Sequence, residues 1–271
     1  MKRFIILALV TVLGISSFAQ DSTSSTKRKK ISREQKRDEG RQRRNAIVKQ
    51  EEEGALVYDK QSVFGVQLRT NGYGLLYELG RMKTRRKANI YMVELTEIKD
   101  PKEEKSPTGF FTISNPYIFG KINNFYQFKL GFGQQYLFGQ KGNKNGVAVT
   151  GSYDAGFSLG LLRPYYIQID EGSETREIKY SVQDSSKFLD RSIIRGGGGL
   201  GKGWSEMKMR PGAFAKGAIR FDWGRYNEMV YGIEIGMSVE AYSKKIPIMI
   251  FAKDRQFFYQ GHIAIVFGHR K

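Results

Sequence analysis

The sequence predicts an all-β protein: an eight-stranded antiparallel up-and-down transmembrane β-barrel, with ten strands as the alternative, behind a charged N-terminal tail. Three observations predict it. From about residue 61 onward, short stretches alternate apolar and polar residues with period two, which is the signature of strands with two unlike faces. The second face carries acids and bases mixed with Gly, Ser and Thr and few large apolar groups. The connections fall into a short set and a long set, as they do in barrels that cross a membrane with turns on one side and loops on the other.

Residues 1–19 have the make-up of an export signal. Met1-Lys2-Arg3 is basic, Phe4 to Gly14 is an apolar run, and Ser17-Phe18-Ala19 offers small residues where a signal peptidase reads. The run is too short to be a spanning helix, and no later segment is apolar enough to be one. An exported chain of this kind either stays soluble or enters a membrane as a β-barrel. The absence of cysteine excludes a disulfide framework, a thiolate metal site, a cysteine nucleophile and a lipoprotein of the usual kind. The formal net charge of +18 would suggest nucleic acid in a cytoplasmic protein. Behind an export signal it suggests phosphate-bearing lipids or acidic partners.

Residues 20–54 form a charge-dense stretch that runs from Lys27, Arg28, Lys29 and Lys30 to Glu51-Glu52-Glu53. Ser32 and Gln35 have capping-box spacing, Gly40 interrupts any helix there, and no apolar stripe runs along it. The reading is a periplasmic tail, partly helical or disordered, that orders on a partner.

Strands are predicted near 61–71, 73–82, 88–99, 124–138, 146–167, 212–225, 228–242 and 257–269, all within a barrel domain spanning 55–271. In the fourth, Tyr126, Phe128, Leu130, Phe132, Tyr136 and Phe138 oppose Gln127, Lys129, Gly131, Gly133 and Gln135. In the sixth, Ile219, Phe221 and Trp223 oppose Lys216, Arg220 and Asp222; in the seventh, Met229 to Val239 in steps of two oppose Gly232, Glu234, Gly236, Ser238 and Glu240. A soluble sandwich or lipocalin-like barrel alternates too. The mixed charges favour a small barrel with an ion-paired centre and an apolar outside. The predicted central network is Arg69, Glu78, Glu94, Lys129, Asp154, Lys216, Arg220, Asp222, Glu234, Glu240 and His262.

With the tail periplasmic, the connections 81–87, 139–145 and 224–227 are short and share one side. A tight Asn71-Gly72 turn and the loops 100–123, 168–211 and 243–256 share the other. A hairpin inside 168–211, from Arg176 to Val182 and Phe188 to Ile194, would raise the count to ten. Tyr73, Tyr136, Phe138, Tyr165, Tyr166, Trp223 and Tyr226 gather near strand ends, where interfacial aromatic girdles stand. The final stretch, FYQGHIAIVFGHRK, puts Ile263, Ile265 and Phe267 on one side. It resembles the C-terminal recognition strand of outer-membrane proteins, although His269-Arg270-Lys271 replaces the usual terminal aromatic.

On the SFAQ at the end of the leader and the eight strands, the chain resembles the small outer-membrane β-barrel proteins of Bacteroidota, with OmpA- and OmpX-like barrel architecture. The PorT-like accessory proteins of the type IX secretion pathway belong to the same broad class. The resemblance covers residues 55–271 and implies an envelope location and a fold; it transfers no functional residues.

The run RGGGGLGKGW, Arg195 to Trp204, fits two phosphate-loop patterns by arithmetic. Gly203 stands where a Ser or Thr would hold magnesium, and Pro211 cuts short any following helix. The glycines are read instead as loop conformers, with Trp204 anchoring the loop back onto the barrel or touching a partner. His262 and His269 are the only histidines. His262 near Glu234 or Glu240, with Ser238 on a neighbouring strand, sketches a triad for a lipid- or lipopolysaccharide-modifying enzyme; a lumenal His satisfied by a carboxylate is the simpler reading. No metal-ligand spacing, cofactor motif or nucleotide site is found. The sequence therefore predicts a non-enzymatic outer-membrane barrel of a Gram-negative cell, an accessory or structural subunit of a secretion or assembly complex. Its partners would be outer-membrane lipid, lipopolysaccharide and other proteins of the complex. A lipid-modifying enzyme and a small pore are the alternatives.

Overall fold

The structure, a computed structural model, describes residues 38, 40–42, 58–106, 115–142, 146–172, 174–199, 201–224 and 228–271. The expected export signal and most of the expected tail lie outside the described residues. Residues 38 and 40–42 are helical, so Gly40 is part of a helical stretch and not its interruption.

Among the described residues of the second unit there are thirteen strands: β1 Lys60–Arg69, β2 Gly72–Thr84, β3 Lys87–Ile98, β4 Lys105–Ser106, β5 Tyr117–Ile118, β6 Asn123–Gly139, β7 Ala148–Pro164, β8 Tyr166–Glu171, β9 Glu174–Lys179, β10 Ile194–Gly197, β11 Lys208–Asp222, β12 Met229–Ile246 and β13 Arg255–Arg270. Eight of them close a barrel in the order β1, β2, β3, β6, β7, β11, β12, β13 and back to β1. Each pairs antiparallel with its neighbours in the chain, and β1 meets β13 in unbroken register from Gln61 opposite Arg270 to Arg69 opposite His262. Closure removes the unpaired edges that a sheet otherwise presents.

Alternation fixes the faces. Phe64, Val66 and Leu68 of β1 point outward and are exposed, while Val63, Gln67 and Arg69 point inward and are buried. The same parity exposes Ile219 and Phe221 of β11, Tyr231, Ile235, Met237 and Val239 of β12, and Ile263, Ile265 and Phe267 of β13. A slip of one residue in any strand would exchange the faces, so the pattern pins the register.

The two ends of the ring differ. At one, β2–β3, β6–β7 and β11–β12 are joined by short connections, and β1 begins where β13 ends. At the other, only β1–β2 is tight, and the remaining connections are long. Inside that loop end an apolar cluster forms around Phe125, Leu162, Tyr242, Ile246 and Phe258. Beyond it, β8, β9 and β10 make a separate three-stranded sheet. Its own small core holds Ile167, Ile169, Ile178, Phe188 and Ile194 together with Tyr117 of β5.

Three boundaries depart from expectation, and the strand number stands at the expected eight. The predicted strand 146–167 leaves the ring at Pro164, and the chain resumes pairing in β8 as part of the outer sheet. The predicted loop 168–211 is ordered through β8, β9, a short helix at Ser185–Phe188 and β10. The ten-strand alternative is not adopted, because β9 and β10 flank β8 and do not enter the ring. Finally, β11 starts at Lys208 and includes Pro211. That stretch pairs with β7 alone, since β12 joins only from Gly212, and a strand edge tolerates the missing N–H.

The closing register is testable in a chain without native cysteine. Leu68 and Ile263 are partners, so Leu68→Cys with Ile263→Cys should cross-link under mild oxidation, whereas Leu68→Cys with Ile265→Cys, a diagonal pair, should not. The reverse result would disprove the register.

Candidate functional site

All eleven residues predicted for the central network lie inside the ring and are buried. Same-face neighbours on one strand stand about 6.8 Å apart along the backbone, so each charge is met chiefly from another strand. Arg69 Nη1 donates to Glu94 Oε1 at 2.7 Å and Nη2 to Glu240 Oε1 at 2.6 Å. Lys129 Nζ donates to the same two oxygens at 3.1 and 2.5 Å. Two cations and two carboxylates from four strands thus hold one another.

Toward the turn end, Lys216 Nζ lies 3.0 Å from Glu234 Oε1 and 3.8 Å from Glu94 Oε2, which links that quartet to the next. Arg220 donates to Glu78 Oε2 at 2.5 Å and also to Glu234. His262 Nε2 is 3.3 Å from Glu234 Oε1. The imidazole fits because Gly236 faces it across the β12–β13 pair, where a Cβ would come within 2.5 Å of its Cε1. Asp154 stands opposite Lys216 in the β7–β11 register; its Oδ1 has no hydrogen-bond partner among the described residues.

A group that the sequence reading missed closes the turn end. Arg270 donates to Asp222 Oδ2 at 2.6 Å and to Gln61 Oε1 at 3.2 Å, and Lys141 lies 3.8 Å from Asp222. The signal was present: Arg270 continues the inward parity of His262, Ala264 and Val266. It was obscured by the basic ending His269-Arg270-Lys271, which reads only as a replacement for the usual terminal aromatic.

The triad sketch does not assemble. Ser238 Oγ accepts from Arg69 Nη2 at 2.6 Å and donates to Glu240 at 2.9 Å, while His262 is engaged by Glu234. Ser238 pairs with Gln260 and not with His262 in the β12–β13 register, so nucleophile and base are held by different carboxylates.

The predicted aromatics divide by position. Tyr136 stacks on Tyr153 with ring centroids 6.0 Å apart, Phe138 is exposed, and Trp223 meets Tyr231 edge-on; these mark the turn end of the outer face. Tyr73 is exposed at the loop end, its hydroxyl on Glu97. Tyr165 and Tyr166 depart from the girdle expectation. The chain turns inward after Pro164, so Tyr165 packs against both loop-end apolar clusters and accepts the Ile118 N–H at 3.1 Å. Tyr166 belongs to β8 and donates to Glu206 at 2.8 Å. Tyr226 lies outside the described residues.

Trp204 folds back onto the barrel, stacked on Tyr126 at 6.0 Å and 15°. The guanidinium of Arg163 sits 4.7 Å from the Trp204 ring centre. Gly203 precedes it with φ of 80°, a left-handed conformation that glycine adopts without a Cβ clash. The next contact is electrostatic: the Lys179 ammonium, and then the Tyr166 hydroxyl, hold the Glu206 carboxyl below its ordinary value. At the same end, burial pushes the Lys121 ammonium down, against the opposing pull of Glu103 at 2.7 Å.

No family model matches the chain, and no curated protein does. Among solved structures, the chain is similar to the N-terminal β-barrel domain of Pseudomonas aeruginosa OprF, at 8% identity with a TM-score of 0.34, covering 78% of this chain and 98% of that one. Neisserial surface protein A is similar at 7% identity and a TM-score of 0.38, covering 78% and 96%. Ail of Yersinia pestis is similar at 9% identity and 0.36, covering 79% and 100%. At such values the barrel is established by this chain's own strand ring, and the likenesses add no functional content.

Three outcomes are expected. Glu234→Gln removes a charge facing both Lys216 and Arg220 and should cost about 3–5 kcal/mol, measured by urea unfolding in detergent micelles; a loss under about 1 kcal/mol would mean that the network does not hold the interior. Trp204→Ala should raise amide exchange over residues 204–207 about 2- to 12-fold, the equivalent of about 0.5–1.5 kcal/mol of aromatic contact. Because the folded Glu206 value lies below 4.5, its contact is present above that value and is lost as pH falls through the folded one. Protection of the same amides should fall with it, and protection that ignores pH would remove Glu206 from this role.

Proposed function

We propose that the chain is a non-enzymatic outer-membrane β-barrel of a Gram-negative cell, an accessory or structural subunit of an envelope secretion or assembly complex. One observation carries the reading: a closed strand ring with an apolar outer face all round and a centre filled by paired charges. No helix among the described residues is long and apolar enough to cross a membrane. Leu68, Leu95, Ile219, Met237 and Ile263 stand exposed on the outside, and hydrocarbon is the medium that covers such a face. The export signal over 1–19 and the periplasmic tail over 20–54 belong to this proposal.

The packed centre favours an anchor over a pore. Lys129, Gln127, Glu234 and Phe125 are essentially without exposure, and a ring of eight strands is just filled by its own side chains. The engagement of Ser238 and His262 with different carboxylates favours a structural over a catalytic histidine. What remains for partners is the loop end, where β8, β9 and β10 form a sheet with two edges, and the basic tail proposed for the periplasm. The tail suits anionic headgroups or an acidic partner.

Three measurements test the proposal. Purified protein in planar bilayers should give no ohmic single-channel steps. His262→Ala should leave the lipid A composition of the cell unchanged; an altered profile would favour the enzyme. Affinity purification from native membranes should recover partner chains that are lost when residues 20–54 are deleted, and equal recovery would remove the tail's part in the proposal.

A further inference from the structure

Two adjoining hollows lie at the loop end of the ring. The upper one, of about 620 Å³, sits above the strand ends and is walled by Lys99, Lys105, Lys121, Arg163 and Lys202 against Glu97 and Glu103. The lower one, of about 500 Å³, lies on the outer face of the barrel among Val66, Leu75, Leu95, Leu161, Trp204 and Met207. Tyr73, Glu97 and Tyr126 belong to both. A single surface therefore runs from the hydrocarbon-facing side of the strands up to a cationic rim.

We propose that this surface binds one phosphorylated amphiphile, with an acyl chain in the lower hollow and its phosphate in the upper. Charge is the first argument. Cations outnumber carboxylates in the upper wall; Lys121 is taken by Glu103 at 2.7 Å, Lys202 by Glu177 at 3.0 Å, Glu97 holds the Tyr73 hydroxyl, and Lys99, Lys105 and Arg163 complete the cationic lining. The excess positive charge suits a phosphate, which takes several charge-assisted hydrogen bonds at once. Position is the second argument. Lys99 Nζ lies 4.9 Å from the Tyr73 ring centre, and the Arg163 guanidinium lies 4.7 Å from that of Trp204. These aromatics form walls of the lower hollow, so the cations stand just above the apolar floor, at the level of a lipid headgroup. Continuity is the third. A soluble phosphate would use the upper hollow and leave the lower one empty, whereas a lipid fills both, and the lower volume is that of an ordinary ligand pocket.

The inference rests on the membrane reading, and the test separates the two. The variant Trp223→Phe leaves Trp204 as the sole tryptophan. It is placed in nanodiscs of phosphatidylcholine doped with either chain-brominated phosphatidic acid or chain-brominated phosphatidylcholine. Quenching of Trp204 should be half complete at a mole fraction of phosphatidic acid at least about fivefold below that of phosphatidylcholine, since headgroup charge near a cationic surface shifts partitioning by about that factor per cation. Adding Lys99→Gln and Lys105→Gln should lower the preference by at least about fivefold, by the same reasoning. Inorganic phosphate at matched ionic strength should leave the preference intact. Equal quenching by the two lipids, or a preference that survives the lysine substitutions, would overturn the site. Reversal by inorganic phosphate would assign the upper hollow to a soluble anion and also overturn it. Failure of the protein to enter nanodiscs at all would instead defeat the membrane reading, and the lipid site with it.

Discussion

A charge turned into the middle of a narrow strand ring cannot be left without a partner, and the rest of this structure follows from that constraint. The desolvation of a carboxylate or ammonium costs several kcal/mol unless opposite charge and hydrogen bonds replace the lost water. Glu94 and Glu240 meet it by sharing Arg69 and Lys129 across β1, β3, β6 and β12. Glu234 meets it through Lys216, Arg220 and His262. The Arg69–Glu240, Lys129–Glu240 and Arg220–Glu78 contacts join strands distant in sequence, so they exist only when the ring is closed in its correct register. The network is better regarded as a specification of that register than as a source of stability, because a buried ion pair roughly balances its own desolvation.

The outer face answers to the opposite requirement. Once the inward positions are polar, period two sends the apolar side chains outward, and no second sheet among the described residues covers them. The same logic explains why the loop end changes character. Above the last ion pair, the centre becomes apolar at Phe125, Tyr242 and Phe258, whose rings pack within 5.9 Å of one another. The chain then builds a small sheet over Ile167, Ile169 and Phe188. Charge in the middle, aromatic packing above it and a folded cap beyond fill the interior of the ring from end to end.

The strand ring was legible in the sequence because its signal is local. Alternation in β6, β11 and β12 names the inward side residue by residue, and Lys129, Lys216 and Glu234 could be placed without knowing what they touch. Arg270 obeyed the same parity and was overlooked beside two exposed basic neighbours. The cap was not legible. Glu174–Lys179 and Ile194–Gly197 look like strands in isolation, and nothing local says whether such segments enter a ring or pair with β8 outside it.

Periodicity marked the two faces of each ring strand and, with the mixed charges of the second face, named eleven of the inward polar residues, since that signal depends only on a backbone that repeats every two residues. Tertiary structure decided which carboxylate each cation grips, that Ser238 and His262 serve different acids, that Tyr165 turns inward after Pro164, and that an apolar hollow meets a cationic one at the rim. Those outcomes depend on the angular position of strands around a closed ring and on the path of long connections, and neither is encoded in the spacing of residues along one strand.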